Sequence, residues 1–214
     1  MKYRLHLSYL LIAIFCLLLG GCSGSSSASR KEHSGPPRDS TPKVLTPSAD
    51  GVNVYQNDFA SIDASNTSQG YVMVKYNGTN EKVKLQITCP DQSCYTYLIS
   101  DRGAYDTFPL TAGNGSYALQ VLENVAGDTY TVSLAQSINV SIEDEFLPFL
   151  YPNQYVNFHT DSKAVSKGSD LAKDTYSDLD VVQNIYNYVI KNISYDTAKA
   201  QNVSYGYVPD IDDT

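Results

Sequence analysis

Cysteine and histidine are the residue types of this 214-residue chain that could carry nucleophilic, redox or metal chemistry. The chain has four cysteines and three histidines, and the histidines, His6, His33 and His159, are far apart in the sequence. A zinc site needs four cysteine, histidine or carboxylate ligands at defined spacing. We therefore predict no metal site, and no sequence pattern points to a cofactor.

Cys22 ends a short apolar segment near the start of the chain. Lys2 and Arg4 precede an apolar run over residues 9–19. This run is shorter than the about 20 residues that a membrane-spanning helix needs, but it fits the apolar region of a secretory signal. The run ends in Leu-Gly-Gly-Cys at residues 19–22, which resembles the lipobox of bacterial lipoproteins.

The lipobox resemblance implies a signal peptide over residues 1–21 and lipid attachment, for example of palmitate, at Cys22. Two or more acyl chains hold a protein firmly on a membrane. We expect a lipid-anchored protein on the extracellular face of a bacterial cell membrane, typical of Gram-positive bacteria. The alternative is a plain signal peptide with an incidental cysteine.

Cys89 and Cys94 flank a four-residue sequence, Pro-Asp-Gln-Ser. A turn at this sequence would bring the two thiols close together, and an exported protein can keep a disulfide. A pair of reduced, half-buried thiols is an equally good interpretation, because many anaerobes that use lipoproteins do not oxidise their exported proteins. Both interpretations stay open at this point.

The charge of the chain excludes one class of partner. Lys and Arg total 15 against 23 Asp and Glu, a formal charge of −8, and removal of Lys2 and Arg4 with the signal peptide makes it −10. Nucleic-acid-binding proteins normally present a basic surface. We therefore expect no nucleic-acid partner, and we expect the lipid rather than surface charge to hold the protein on the membrane.

The positions of apolar residues divide the mature chain into three parts. Residues 22–50 are rich in Ser, Gly and Pro, which favours a disordered tether. Over residues 51–142 apolar and polar side chains alternate, which is typical of antiparallel strands, and turn sequences such as Asn77-Gly78 and Asn114-Gly115 separate them. We predict a mainly β protein with an antiparallel sandwich of immunoglobulin-like type, followed by a small helical segment.

Residues 143–214 begin with a proline-containing connector and continue with helices. One helix is predicted over residues 163–173. A second follows Ser177, a residue type that favours helix starts, and apolar residues then recur at helical spacing. These are Val182, Ile185, Tyr186, Val189 and Ile193.

Residues 180–196 resemble the opening of a transglutaminase-like domain, in which a helix with a closing Asn-Ile-x-Tyr-Asp sequence precedes the catalytic core. Residues 109–130 are similar to the β-domain that precedes such cores in lipoproteins of Gram-positive bacteria. The resemblance implies a transglutaminase-like α+β domain and papain-like acyl transfer, in which a cysteine thiolate attacks an amide carbonyl with the help of His and Asp.

The catalytic residues that this resemblance implies are missing from the sequence. In the family the cysteine follows the Tyr-Asp element, whereas here no cysteine follows Cys94 and no histidine follows His159. We therefore predict no catalytic residue in this chain and no activity of the chain alone. Residues 143–214 supply about two helices, too few for a separate core. This favours the amino-terminal part of a longer protein over a natural non-catalytic product.

These observations lead to two functional expectations. The first is the amino-terminal part of a thiol acyltransferase or peptidase that acts on extracellular protein or cell-wall peptide. The alternative is a non-catalytic lipoprotein that binds a surface ligand or acts as a scaffold. A solute-binding lipoprotein is disfavoured, because such proteins need two α/β lobes and here the predicted strands are not interleaved with helices.

Overall fold

The computed structural model describes residues 35–99, 101–204 and 206–213, and the described residues from Pro37 onward form one compact unit. The predicted signal peptide and the predicted lipid-attachment residue Cys22 lie outside the described residues. No helix among the described residues is long and apolar enough to cross a membrane.

Within the described residues, eight strands form two antiparallel sheets of four strands each. The first sheet has the strand order β1-β2-β3-β6 and consists of β1 (Val54–Gln56), β2 (Ala60–Asp63), β3 (Tyr71–Tyr76) and β6 (Tyr105–Pro109). The second sheet has the order β5-β4-β7-β8 and consists of β4 (Val83–Thr88), β5 (Cys94–Leu98), β7 (Gly115–Ala126) and β8 (Thr129–Val140). The prediction of a mainly β protein with antiparallel sheets is confirmed.

In the described part of the chain after the strands there are three α-helices. They are α1 (Lys163–Ala172), α2 (Asp178–Asn192) and α3 (Thr197–Asn202). Single 3-10 turns lie at Thr67–Gln69, Leu147–Phe149 and Ile211–Asp213. The first two helices start and end within one or two residues of the predicted bounds, as expected for helices with strong sequence signals.

The two sheets share one hydrophobic core, and strand β4 shows how the sequence builds it. Val83, Leu85 and Ile87 are buried, whereas the alternating polar residues of the same strand face outward. From the first sheet Ile62 and Val74, which are paired neighbours on β2 and β3, point into the same core. Each such side chain contributes roughly 1.5–3 kcal/mol when it leaves water, so this shared core is the main source of stability.

The first sheet is also covered on its outer face, which the alternation pattern did not predict. Met73 and Thr107, outward-facing neighbours on β3 and β6, are 8% and 6% exposed. The connector after β8 lies against this sheet: the Tyr151 ring packs 4.7 Å from the Tyr71 ring, and the Gln154 backbone nitrogen donates to the Thr107 carbonyl at 3.4 Å. A strand that is buried on both faces needs apolar residues on both. This explains why β3 is apolar at nearly every position.

Gln154 also closes the gap between the two sheets at their β5 and β6 edges. Its Nε2 donates to the Leu98 carbonyl and, at 2.8 Å, to Asp106 Oδ2. Burial raises the pKa of the Asp106 carboxyl, and hydrogen bonds from Thr107 and Gln154 act in the opposite direction. A carboxyl side chain that points inward from an edge strand disfavours pairing of that edge with another chain.

Residues 38–50, the second half of the predicted tether, have defined contacts in the structure. The Arg38 amide nitrogen donates to the Thr175 carbonyl at 2.7 Å, and Ser169 Oγ donates to the Ser40 carbonyl at 2.9 Å. The Ser48 amide nitrogen donates to the Tyr71 hydroxyl at 3.1 Å. These contacts are polar, so a composition argument that counts only apolar burial could not anticipate them.

Tyr117 fixes the entry of the chain into β7. Its side chain is fully buried, and its hydroxyl donates to the Gly113 carbonyl at 2.8 Å and accepts from the Ala112 amide nitrogen at 3.1 Å. The ring therefore fills the core while the hydroxyl satisfies two backbone groups of the preceding turn.

The substitution Tyr117→Phe is expected to lower the free energy of unfolding by about 1–3 kcal/mol, because it removes the two hydrogen bonds that the hydroxyl of this buried side chain forms with the backbone of the preceding turn. Urea denaturation followed by circular dichroism measures this change. Tyr95→Phe is the matched control, since Tyr95 is 46% exposed and its hydroxyl can be hydrated. Equal losses for the two variants would contradict a role of the Tyr117 hydroxyl bonds.

Candidate functional site: an exposed apolar face on the second helix

The local sequence fixes the start of α2 firmly. The Ser177 side chain accepts from the Asp180 amide nitrogen at 3.2 Å, and Asp180 Oδ2 accepts from the Ser177 amide nitrogen at 2.9 Å. This reciprocal capping box satisfies backbone donors that would otherwise be free at the helix start. Lys191 lies in the last turn, where a cation is favoured by the helix dipole.

One side of α2 is apolar and lies in solvent. Leu179, Val182 and Tyr186 are 74%, 61% and 62% exposed. We call the complete set the α2 face, and it consists of Leu179, Val182, Ile185, Tyr186, Val189, Ile190 and Ile193, all of them exposed. At about 100° per residue these positions fall within about 140° of the helix circumference.

A different side of α2 holds it against the rest of the molecule. Asn184 Nδ2 donates to the Leu171 carbonyl at 2.9 Å, and the Lys167 ammonium lies 5.4 Å from the centre of the Tyr188 ring. Arg38 forms an ion pair with Asp178 at 2.6 Å, but Asp178 is largely exposed, so this pair contributes little. The helix is thus attached by polar and cation–π contacts, whereas its apolar side is exposed among the described residues.

This arrangement is unusual for a globular protein, because a surface helix normally turns its apolar side to the core. Contiguous exposed apolar surface marks a site that binds protein or another apolar surface. The α2 face consists of aliphatic side chains and the ring of Tyr186, so the chemistry it offers is binding by exclusion of water. Sequence periodicity identified most of these residues, but it could not say whether they face a core or solvent.

The structure places the two cysteines of the β4–β5 hairpin on opposite faces of the sheet. Cys89 is 2% exposed and belongs to the core, whereas Cys94 is exposed. Cys94 lies directly opposite Thr88, whose hydroxyl donates to its sulfur at 4.0 Å. Both thiols are free.

The environment of each thiol sets its reactivity. Burial raises the pKa of the Cys89 thiol, so at neutral pH it stays protonated and unreactive. Cys94 is open to solvent, so reagents can reach it. In residues 35–99, 101–204 and 206–213 no three His, Cys, Asp or Glu side chains cluster as metal ligands would.

Comparisons with known proteins add little to this picture. No family model matches the sequence. No curated protein matches it either. A solved structure from the computer-based redesign of a β-sandwich protein aligns with 9% identity over 48% of this chain and 100% of its own length, with a TM-score of 0.30. A similarity at that level carries no argument about function.

The two thiols are expected to react at different rates in the folded chain. A brief alkylation of the native protein, followed by trypsin, should label peptide 85–102 once, at Cys94, and unfolding in urea should expose Cys89 to a second label. Cys94→Ser is the control and should remove the native label.

A disulfide would give another pattern: no label on this peptide without reductant and two labels after reduction. Equal labelling rates of both thiols in the native protein would contradict the burial of Cys89.

Proposed function

We propose that this chain is the amino-terminal, non-catalytic part of a lipid-anchored bacterial protein with a transglutaminase-like domain. The observation that carries the proposal is the α2 face. Seven large apolar side chains on one side of a well-capped helix are explained if further protein of the same domain covers them. The parent would act as a thiol acyltransferase or peptidase on extracellular protein or cell-wall peptide.

The arrangement of the β-strands supports an immunoglobulin-like assignment for the domain that precedes the helices. The second sheet, β5-β4-β7-β8, and the β2-β3-β6 part of the first sheet match the way such domains divide their strands between two sheets. Tyr117 also fits, because immunoglobulin-like domains use a tyrosine at this corner whose hydroxyl bonds to backbone a few residues upstream. In the proposed protein this domain is a spacer or binding module.

The chemistry of the parent would come from residues outside this chain. A buried Cys89 with a raised pKa is no nucleophile, and no histidine is in contact with Cys94 or Cys89 among the hydrogen bonds of the described part of the chain. The chain by itself is therefore proposed to be inactive, and it needs no cofactor.

The alternative is a non-catalytic lipoprotein that uses the α2 face to bind a surface partner. The exposed apolar side chains of this face support the alternative, because such a surface also suits a separate protein partner. The gene sequence after codon 214 separates the two. An open frame that encodes Gly-x-Cys, then His, then Asp supports the enzyme, whereas an immediate stop codon supports the binding protein.

A pair of neighbouring substitutions tests the role of the α2 face directly. Val182→Glu places a charge on the face, and Gln183→Glu places the same charge on exposed surface beside it. In residues 1–214 both should change the free energy of unfolding by less than about 0.5 kcal/mol, because both positions are already in solvent.

In the longer protein the two variants should differ. Val182→Glu should abolish ammonia release from a glutamine-containing peptide and lower the melting temperature, because it buries a charge, whereas Gln183→Glu should do neither. Equal behaviour of both variants in the longer protein would contradict the proposal.

Lipid attachment has a separate test. Expressed in a Gram-positive host, the wild-type protein should stay with the membrane fraction, and Cys22→Ala should move it to the medium, because the anchor is lost. Cys16→Ala is the control, since that residue lies in the part of the signal that is removed. A wild-type protein as soluble as Cys22→Ala would show that the lipobox assignment is wrong.

A further inference from the structure

Two Asn-Gly pairs occur in turns of the β-domain, Asn77-Gly78 after β3 and Asn114-Gly115 at the start of β7. Asn-Gly is chemically labile because the glycine nitrogen can reach the asparagine side chain without hindrance from a Cβ atom. From the sequence alone the two pairs are equivalent. Both asparagines are also exposed in the structure, so solvent access does not separate them.

The fold requires the glycine of each pair. A Cβ atom on Gly78 would lie 2.2 Å from the hydroxyl oxygen of Tyr76, a core residue that is 1% exposed. Gly115 has a φ of 142°, and a Cβ atom there would lie 2.7 Å from Pro90 Cγ. Packing therefore requires glycine after both asparagines, although another residue type there would make each asparagine less labile.

Hydrogen bonding distinguishes the two asparagines. Asn114 Oδ1 accepts from the Ile142 amide nitrogen at 2.7 Å, and Gly115 is the first residue of β7, paired with Val140 of β8. The Asn114 carboxamide can turn towards the Gly115 nitrogen only if this bond breaks, and the pairing of Gly115 with β8 restrains the main chain at this point. The structure thus protects Asn114.

Asn77 lacks such protection. Its backbone nitrogen donates to the Phe59 carbonyl at 2.7 Å, which holds the main chain of the turn. Within the part of the chain that the structure describes, no hydrogen bond involves the Asn77 carboxamide or the Gly78 N–H. Both reacting groups are therefore free to approach each other.

We propose that Asn77 is a site of spontaneous deamidation and that Asn114 is not. The Gly78 backbone nitrogen attacks Asn77 Cγ, a new N–Cγ bond forms, and the Cγ–Nδ2 bond breaks. Nδ2 leaves as ammonia with the proton that the Gly78 nitrogen gives up. Water then opens the resulting succinimide at either carbonyl, which yields an aspartate or an isoaspartate at position 77.

The modification changes the protein at the start of the β3–β4 loop. Each event adds one negative charge to an already acidic chain, and the isoaspartate product also lengthens the main chain by one carbon. The far end of the loop is held independently, because Asn80 Nδ2 donates to the Asn124 carbonyl at 2.8 Å and the Asn80 carbonyl accepts from Arg102 at 2.7 Å. The fold is therefore expected to survive the change, and modified molecules accumulate with age.

Incubation of the full chain in oxygen-18 water at mildly alkaline pH tests the proposal. Tryptic peptide 76–82 reports on Asn77, with fragment ions to separate it from Asn80, and a second protease releases the Asn114 peptide. Asn77 should incorporate the label at least about tenfold faster than Asn114, because loss of a backbone hydrogen bond and local opening slow the second site. In urea, where both sites are free, the two rates should become similar.

The variant Asn77→Gln is the control and should abolish labelling of peptide 76–82, because a glutamine must close a less favourable six-membered ring. Isoaspartyl methyltransferase should methylate the aged wild-type chain and not this variant. The proposal is overturned if Asn114 reacts as fast as Asn77 in the folded chain. It is also overturned if Asn77 is stable in the folded chain but reacts in urea.

Discussion

Exclusion of water from the space between the two sheets is the interaction on which the rest of the structure depends. Residues of both sheets are almost completely buried there, among them Ile62 and Val74 from one and Leu85 and Leu119 from the other. Each strand can contribute only one side to this core, so the sequence alternates where a strand has a free outer face. Tyr117 fills part of this core. The turns and the connector also take positions that keep water out of it.

Because water is excluded from the core, polar groups near it need hydrogen-bond partners within the protein. Asp63, which is 3% exposed, accepts hydrogen bonds from the backbone nitrogens of Gly51 and Ser65 at 2.8 and 2.9 Å. Gln154 uses its amide to join the two sheet edges. These bonds add less free energy than apolar burial, but a missing partner would cost more than the bond contributes. They explain why residues before β1 and after β8 pack so closely on the first sheet.

The second helix is stabilised by local hydrogen bonds rather than by burial of its apolar side. The capping box of Ser177 and Asp180 fixes the start of α2. The apolar side of this helix, however, has no partner among the described residues. Exposure of this much apolar surface to water costs free energy that contact with a partner would recover. The β-domain is thus complete as a packed unit, whereas the α2 face is a surface suited to association. The packed sheets therefore form the scaffold, and the exposed α2 face is the candidate functional site.

By itself the sequence determined the class of fold, the region that forms strands, the first two helices and the start of α2, because alternation and capping are local properties. It also supplied the lipobox resemblance and the shortage of catalytic residues. Only the tertiary structure decided that the first sheet is covered on both faces, that Cys89 and Cys94 point to opposite sides, and that the α2 face lies in solvent. The physical reason is that periodicity shows which side of an element is apolar, whereas the neighbour of that side is set by contacts between residues far apart in the chain.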